Sequence, residues 1–153
     1  MRVVRRHTGR VLPLYGDAVL LLRGLDPAHR EAGQWWFSVG GGCEAGESSA
    51  QAARREAFEE AGLVLPADLG PVVLQREAAF AYDGLWLEQT EDYYGCRVAA
   101  PDVVTTGWTE LEQRAVTGFR WWTVPELRAT EDTVYPPGVA DLVARLLRSL
   151  PAG

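Results

Sequence analysis

The chain has 153 residues, with 15 Lys+Arg against 21 Asp+Glu and a formal net charge of −6. All of its basic residues are arginine, because the sequence contains no lysine. This absence excludes a P-loop, Schiff-base chemistry and protein-kinase chemistry, each of which depends on a lysine amine. The acidic balance disfavours nucleic acid and anionic membranes as partners, because both attract basic surfaces.

The length and the hydrophobic content of 47% are those of one folded domain, expected to span residues 1–153. The N-terminus has no apolar run long enough for a signal peptide, and no stretch approaches the roughly 20 apolar residues of a membrane span. Cys43 and Cys96 fit no zinc spacing, and the pattern favours two isolated thiols over a disulfide. A cytoplasmic protein is expected.

The sequence patterns in the first third of the chain predict mainly strands. Short apolar runs predict strands at residues 10–14 and 18–22, joined by a tight turn. Residues 24–34 show no periodicity and predict a loop. An aromatic strand at 35–39 then runs into the glycine triplet 40–42.

The clearest predicted helix covers residues 48–61. Ser48 and Gln51 have the spacing of a capping box, and Gly62 stands where a helix-ending glycine is expected. A stripe of alanines on one face predicts close packing against a sheet: Ala50, Ala53, Ala57 and Ala61.

The rest of the chain predicts further strands followed by a terminal helix. Residues 71–99 predict a hairpin with its turn at 82–84, and residues 118–123 predict another strand. A short helix near 125–128 precedes an amphipathic helix over 139–150. This order favours an α/β sandwich with a mixed β-sheet.

Three carboxylates cluster on the predicted central helix. Glu56, Glu59 and Glu60 fall within an arc of about 100°. Like charges at these spacings destabilise a helix, and two of the three lie near its negative C-terminal end. A hard divalent cation would reverse both effects, since Mg²⁺ and Mn²⁺ prefer carboxylate oxygens. The alternative is an ordinary solvated acidic face.

The glycine triplet Gly40, Gly41 and Gly42 lies a short way before this helix. Glycine lets the backbone approach a ligand closely and offer its amides or carbonyls. The alternative is a flexible turn.

Together the two segments match the pattern G-x5-E-x7-R-E-U-x-E-E-x-G-U without a gap from Gly41 to Leu63. This stretch resembles the box of the Nudix hydrolase superfamily. Two positions depart from what is common there: Ala57, where a larger aliphatic residue is frequent, and Val39, near the place of a frequent proline. The fixed positions are occupied by Glu47, Arg55, Glu56, Glu59, Glu60 and Gly62.

The resemblance implies an α/β/α sandwich with a central mixed sheet. It also implies Mg²⁺- or Mn²⁺-dependent hydrolysis of a nucleoside diphosphate linked to another moiety. By position in the box, Glu56, Glu59 and Glu60 would be the metal ligands, while Glu47 and Arg55 would pair and hold the loop against the helix. Gly41 and Gly42 would lie at the substrate, with a backbone carbonyl near Gly40 or Gly41 helping to bind the metal.

The residue that accepts the proton of the attacking water varies within the family. Glu59 is one candidate, and a carboxylate from a later loop is another. Glu110 and Glu112 are the candidates in that later segment, with ordinary loop acids as the alternative.

The substrate is less constrained by the sequence. Tyr82 stands only roughly where diadenosine polyphosphate hydrolases have a tyrosine, and Ala79 lies near the place of the proline of ADP-ribose hydrolases. A nucleoside triphosphate, including an oxidised one, is therefore the favoured substrate. ADP-ribose and a dinucleoside polyphosphate stay open as substrates, and a non-catalytic nucleotide sensor stays open as the function.

Dimers are frequent in families of this kind, so a homodimer is expected to be compatible with the fold. The aromatic candidates for stacking on a base are Trp35, Trp36, Phe80, Tyr82, Trp86, Tyr93 and Tyr94.

Overall fold

The computed structural model describes residues 1–151, which form a β-sheet flanked by helices. The strands are β1 (Arg2–Tyr15), β2 (Ala18–Leu25), β3 (Gln34–Gly42), β4 (Leu74–Tyr82), β5 (Leu85–Arg97) and β6 (Val116–Thr123). The helices are α1 (Ser49–Ala61), α2 (Glu110–Ala115), α3 (Val124–Ala129) and α4 (Val139–Ser149). None of these helices is long and apolar enough to cross a membrane.

The six strands form one sheet in the order β4-β5-β1-β3-β2-β6. Strand β1 pairs in parallel with β5, from Arg2 opposite Leu85 to Leu14 opposite Arg97. The β1–β3, β2–β3, β2–β6 and β4–β5 pairs are antiparallel. The predicted α/β fold with a mixed sheet is therefore confirmed.

Several elements extend beyond the predicted ranges. Strand β1 begins at Arg2 and not at residue 10, because its charged first half is held by pairing with β5 and carries no apolar run. The segment predicted as a loop includes the end of β2 and a short 3₁₀ turn at Arg30–Ala32. Strand β3 continues through the glycine triplet, which pairs with β1 and is not a flexible turn.

Helix α1 begins and ends where the sequence predicts. The Ser48 side chain accepts a hydrogen bond from the backbone N–H of Gln51, and the Gln51 side chain accepts one from Ser48 in return. Gly62 ends the helix in the left-handed conformation that glycine tolerates best. The buried face differs slightly from the prediction, since Ala50 is only partly buried while four other alanines are fully buried: Ala52, Ala53, Ala57 and Ala61.

The apolar core lies on both sides of the sheet. On one side, α1 packs against residues that include Val11, Leu22 and Val39. On the other side, α4 packs against residues that include Leu12 and Leu14. Successive β1 side chains point to opposite faces, so one strand supplies both layers.

Helix α4 covers only part of its side of the sheet. Beyond it, the same face of β1 carries Arg6 and Arg10 instead of leucine. These two arginines line a cleft to which α4 contributes no residue. The position of α4 therefore decides where the cleft opens.

Candidate active site

The cleft has a volume of about 750 Å³, which is within the usual range for a small-molecule site. Strands β1, β3, β4 and β5 and helices α1 and α2 all contribute residues to its walls. Its charged lining contains both signs. The carboxylates Glu56, Glu60 and Glu112 lie in it together with the guanidinium groups of Arg6 and Arg10.

Three carboxylates converge at this cleft. One oxygen from each of Glu56, Glu60 and Glu112 lies within 4.8 Å of the other two. Glu56 and Glu60 are one turn apart on α1, which places them on the same side of the helix. Glu112 comes from α2, so the group forms only when α2 packs near α1.

Glu60 is the most enclosed of the three, with 4% of its surface exposed. Its Oε1 atom accepts a hydrogen bond from the Gly40 backbone N–H at 2.8 Å. Burial raises the pKa of the Glu60 carboxyl well above its ordinary value, and the nearby Glu56 carboxylate adds to this shift. The charged form of Glu60 is therefore costly in the protein alone.

Glu56 is also raised in pKa, first by burial and then by the nearby Glu112 and Glu59 carboxylates. The Arg55 guanidinium opposes this shift, because its Nη1 atom donates to Glu56 Oε1 at 3.0 Å.

Glu112 is positioned by the N-terminus of α2 and not by a loop. The Thr109 hydroxyl accepts a hydrogen bond from the Glu112 backbone N–H, while Glu112 Oε1 accepts one from the Thr109 N–H at 2.8 Å. Glu110, the other candidate in this segment, is exposed and is not part of the three-carboxylate group. The capping-box spacing of Thr109 and Glu112 was the signal in the sequence that could have predicted this helix.

Glu59 lies outside that group. Arg55 Nη1 donates to Glu59 Oε2 at 3.3 Å, and 38% of the Glu59 side chain is exposed. Glu59 therefore lies beside Arg55 and, unlike Glu56 and Glu60, does not line the cleft.

Arg55 joins the loop before α1 to the helix itself. Its Nε and Nη2 atoms each donate to one oxygen of Glu47 at 2.9 Å, a bidentate pair, and Nη2 also donates to the Gly42 carbonyl at 3.0 Å. The Arg55 guanidinium lowers the pKa of Glu47 to about 2. This ion pair fixes the loop, the end of β3 and α1 relative to one another.

The glycine triplet separates the carboxylates from the arginines. A Cβ at Gly41 would lie 2.6 Å from Glu56 Oε1, so no larger residue fits against this carboxylate without moving it. Gly40 and Gly42 face the other way: added Cβ atoms would lie 2.9 Å from Arg10 Cδ and 3.4 Å from Arg6 Nη1. The backbone of this glycine segment, which carries no side chains, is therefore all that separates the carboxylates from Arg6 and Arg10.

The chemistry of the donor set fits a divalent cation. Three carboxylates that repel one another lie together, and Arg55 is the only cation that hydrogen-bonds to one of them among residues 1–151. Oxygen ligands of this kind suit Mg²⁺ or Mn²⁺, with substrate phosphate oxygens completing the coordination. Glu56, Glu60 and Glu112 are the residues that could hold such an ion.

Comparison with known proteins identifies the family of this site. The family model for the NUDIX domain matches residues 5–144. The chain belongs to the Nudix family. Hydrolysis of pyrophosphate linkages with a divalent metal is general for Nudix hydrolases, and small nucleotides are their substrates. No curated protein gave a significant match to this sequence.

Solved structures with this fold confirm the architecture of the Nudix domain. A MutT NUDIX hydrolase from Burkholderia pseudomallei is 17% identical, with a TM-score of 0.65 over 90% of this chain and 95% of that chain. A MutT protein from Methanosarcina mazei Go1 is 21% identical, with a TM-score of 0.63 over 97% and 96%. A NUDIX-family hydrolase from Clostridium perfringens is 19% identical, with a TM-score of 0.62 over 97% and 99%.

The aromatic candidates divide between the cleft of the Nudix domain and other regions. Trp36, Trp86 and Tyr94 do not line the cleft. Tyr82 lies in its wall, where burial and the nearby Asp26 carboxylate raise the pKa of its hydroxyl to about 12. Tyr82 is thus a neutral aromatic group at ordinary pH. The candidates that line the cleft are Trp35, Phe80, Tyr82 and Tyr93.

The two cysteines take no part in this chemistry. Burial and the nearby Glu47 carboxylate raise the pKa of the Cys43 thiol, and burial raises that of Cys96. Both are free thiols, and neither is activated as a nucleophile.

Proposed function

We propose that this Nudix hydrolase cleaves a pyrophosphate bond of a nucleoside triphosphate, including an oxidised one, with Mg²⁺ or Mn²⁺ as its cofactor. The observation that carries the proposal is the convergence of Glu56, Glu60 and Glu112 within 4.8 Å at the wall of a 750 Å³ cleft. A protein of net charge −6 would otherwise repel a polyphosphate, and these carboxylates would repel it most.

Each residue of the site has a proposed role. Glu56, Glu60 and Glu112 hold the ion, and the Gly40 N–H keeps Glu60 in place. An ion bound there would polarise the phosphoryl group and lower the pKa of the attacking water. Arg55 orients Glu56 and, through Glu47, anchors the preceding loop.

Glu59 and the glycines complete the proposed site. Glu59 stays a predicted ligand or proton acceptor from the box, since 38% of its side chain is exposed. Gly41 and Gly42 line the cleft, and we propose that they let the phosphate arm pass close to the backbone. Tyr82 offers a ring on which the base can stack.

The test is a panel of nucleotides assayed for released phosphate or pyrophosphate with and without Mg²⁺. The panel contains nucleoside triphosphates and their oxidised forms, ADP-ribose and a dinucleoside polyphosphate. We expect metal-dependent hydrolysis that is fastest for a triphosphate. If ADP-ribose or the dinucleoside polyphosphate were hydrolysed fastest, the proposed substrate would be wrong. The proposed reaction, metal-dependent hydrolysis of a pyrophosphate bond, would still hold.

Two substitutions test the residues themselves. Glu60→Gln and Glu59→Gln should each abolish turnover while the far-UV circular dichroism spectrum is unchanged. Glu131→Gln removes the same charge from an exposed position outside the cleft and should have wild-type activity. Unchanged activity in either site variant would refute the role given to that residue.

A non-catalytic nucleotide sensor is the competing function. It predicts tight binding of one nucleotide without turnover of any member of the panel. The three carboxylates, one buried and two partly buried, argue against it, because a sensor gains nothing from the cost of placing them together.

A further inference from the structure

Three arginines line the cleft apart from the residues of the box. Arg6 and Arg10 come from β1, and Arg76 comes from β4. In the register of the sheet, Arg76 lies opposite Glu91, which lies opposite Thr8, between the two β1 arginines. Residues opposite one another share a face, so all three side chains belong to the same face of the sheet.

A buried polar network holds two of these arginines from behind. Arg6 Nε donates to Gln89 Oε1 at 2.7 Å, and Arg76 Nε lies 3.3 Å from Glu91 Oε1. Gln89 Nε2 in turn donates to Glu91 Oε2 at 2.5 Å, and the Tyr93 hydroxyl donates to Glu91 Oε1 at 2.8 Å. Because each contact uses an Nε atom, the terminal guanidinium nitrogens are left for other partners.

The arginines have more donors than the protein satisfies. Arg10 Nε and Arg76 Nη1 are shielded from solvent, yet neither has an acceptor among residues 1–151. A buried donor without an acceptor destabilises the folded state, and the cost is larger when the group is charged. Arg54 Nε, Arg97 Nε and Trp122 Nε1 also lack an acceptor among residues 1–151, but of the residues concerned only Arg10 and Arg76 line the cleft, where a ligand can supply one.

The positive charges also repel one another. Burial, and then the nearby Arg10 guanidinium, lowers the pKa of Arg6. A polyanion in the cleft would remove this repulsion and supply the missing acceptors. Arginine suits phosphate oxygens particularly well, because its planar donors can bind two oxygens at once.

We propose that Arg6, Arg10 and Arg76 form a polyphosphate subsite, which selects nucleotides with a triphosphate arm over those whose diphosphate ends in a neutral group. The subsite rests on the proposed function, because it binds the arm of the same substrate. Glu91 pairs with the Nε atom of Arg76, so the match lies in the donors that remain: a triphosphate offers more phosphate oxygens to the terminal guanidinium nitrogens than an esterified diphosphate does. The bare strand of Gly40, Gly41 and Gly42 lets one phosphate arm reach both the carboxylates and the arginines.

A binding experiment tests the subsite without turnover. Inorganic triphosphate is titrated calorimetrically into the whole protein in a buffer with chelator, so that no metal contributes. We expect measurable binding that weakens with salt, and a loss of at least tenfold in Arg6→Gln and in Arg76→Gln. Arg76→Lys keeps the charge and loses the planar donors, so it should recover only part of the affinity.

Arg5→Gln is the matched control, since Arg5 lies on the same strand, is 82% exposed and does not line this cleft. It should bind triphosphate as the wild type does. Equal losses in Arg5→Gln and Arg6→Gln, or unchanged binding in both cleft variants, would overturn the subsite. Circular dichroism confirms that each variant is folded.

A kinetic comparison tests the selectivity. In Arg10→Gln, the KM for a nucleoside triphosphate should rise about tenfold, and the KM for a nucleoside diphosphate sugar should change less than twofold. Equal increases for both would contradict the selectivity. The two proposals can fail separately. Triphosphate binding without hydrolysis of any nucleotide would refute the proposed function alone. Metal-dependent hydrolysis, with triphosphate affinity and KM unchanged in the arginine variants, would refute the subsite alone.

Discussion

The two ends of one sheet face differ in what covers them. On strand β1, Leu12 and Leu14 are fully buried under α4, where they share a core cluster with Leu146. On the same face and the same strand, Arg6 and Arg10 line the cleft. The backbone is continuous across both ends, so the side chains alone decide which end takes a helix and which end stays open.

The packing at the covered end shows why α4 stays there. Gly95 lies opposite Leu12 in β5, and a Cβ at Gly95 would lie 2.8 Å from a Leu146 methyl group. The helix therefore packs against bare backbone. At the open end, the leucines of α4 could not cover the arginines without removing water from the cleft beside guanidinium nitrogens that have no acceptor among residues 1–151. We therefore expect substitutions at the covered end to lower stability and substitutions at the open end to alter function.

The largest stability effect is expected for Leu146→Ala. Its side chain is 2% exposed, and removing it should lower the free energy of unfolding by about 2–5 kcal/mol. Denaturant unfolding measures this, with the partly buried Leu147→Ala on the same helix as a milder control. Activity per folded molecule should be unchanged. If the activity per folded molecule of Leu146→Ala also fell, the packing of α4 would influence the cleft, and the two ends would not be independent.

The next largest effect is expected for Glu112→Gln at the open end. The glutamine can still accept the Thr109 N–H hydrogen bond, so α2 should keep its cap. The Mg²⁺ concentration that gives half-maximal activity should rise about tenfold or more, because metal affinity depends on the number of charged ligands. The matched control is Glu110→Gln on the same helix, which should need no more Mg²⁺ than the wild type does. A wild-type Mg²⁺ requirement in the Glu112 variant would remove Glu112 from the site.

A smaller effect is expected for Gly41→Ala. The new methyl group would meet Glu56 Oε1 at 2.6 Å, and overpacking of this kind costs about 1–3 kcal/mol when neighbours cannot move. Because the carboxylate can shift, we expect the low end of that range, seen as a several-fold higher Mg²⁺ requirement. Gly42→Ala meets Arg6 Nη1 only at 3.4 Å and should leave the Mg²⁺ requirement unchanged. If both variants raised the Mg²⁺ requirement equally, the glycine segment would not separate an acidic side of the cleft from a basic one.

The smallest effect concerns Glu47, which pairs with Arg55. Its folded pKa of about 2 lies below the ordinary value of about 4.3. The ion pair with Arg55 therefore stabilises the fold fully above the ordinary value, and this contribution is lost as the pH falls from there through about 2. Glu47→Gln should lower stability by about 1 kcal/mol or less at pH 6, and the difference from wild type should vanish below about pH 2. Unfolding curves at several pH values measure this. A difference that stays constant with pH would contradict the role of the ionised pair.

Local sequence signals predicted α1 and its surroundings well. The capping box at Ser48 and the glycine at Gly62 act within a few residues of the helix ends, so the helix is confirmed at both ends. The mixed sheet was also predictable, because short apolar runs alternate with helical patterns. The first half of β1 was not, since its charged side chains are held in a strand by β5 from a distant part of the chain.

The candidate site divides in the same way. Glu56 and Glu60 follow from the box, because one helix turn brings them together whatever the rest of the chain does. Glu112 joins them only through the packing of α2. Glu59 pairs with Arg55, as their i,i+4 spacing allows, but the spacing alone does not show that Glu59 stays outside the three-carboxylate group.

The sequence by itself determined the family, the acidic helix and the requirement that any cation other than a metal be an arginine. The tertiary structure decided which arginines those are. Arg6, Arg10 and Arg76 are scattered among 15 arginines in the sequence, and only the register of β1, β5 and β4 gathers them on one face. A local motif records contacts within one element, whereas a subsite built from three strands depends on pairings between distant residues.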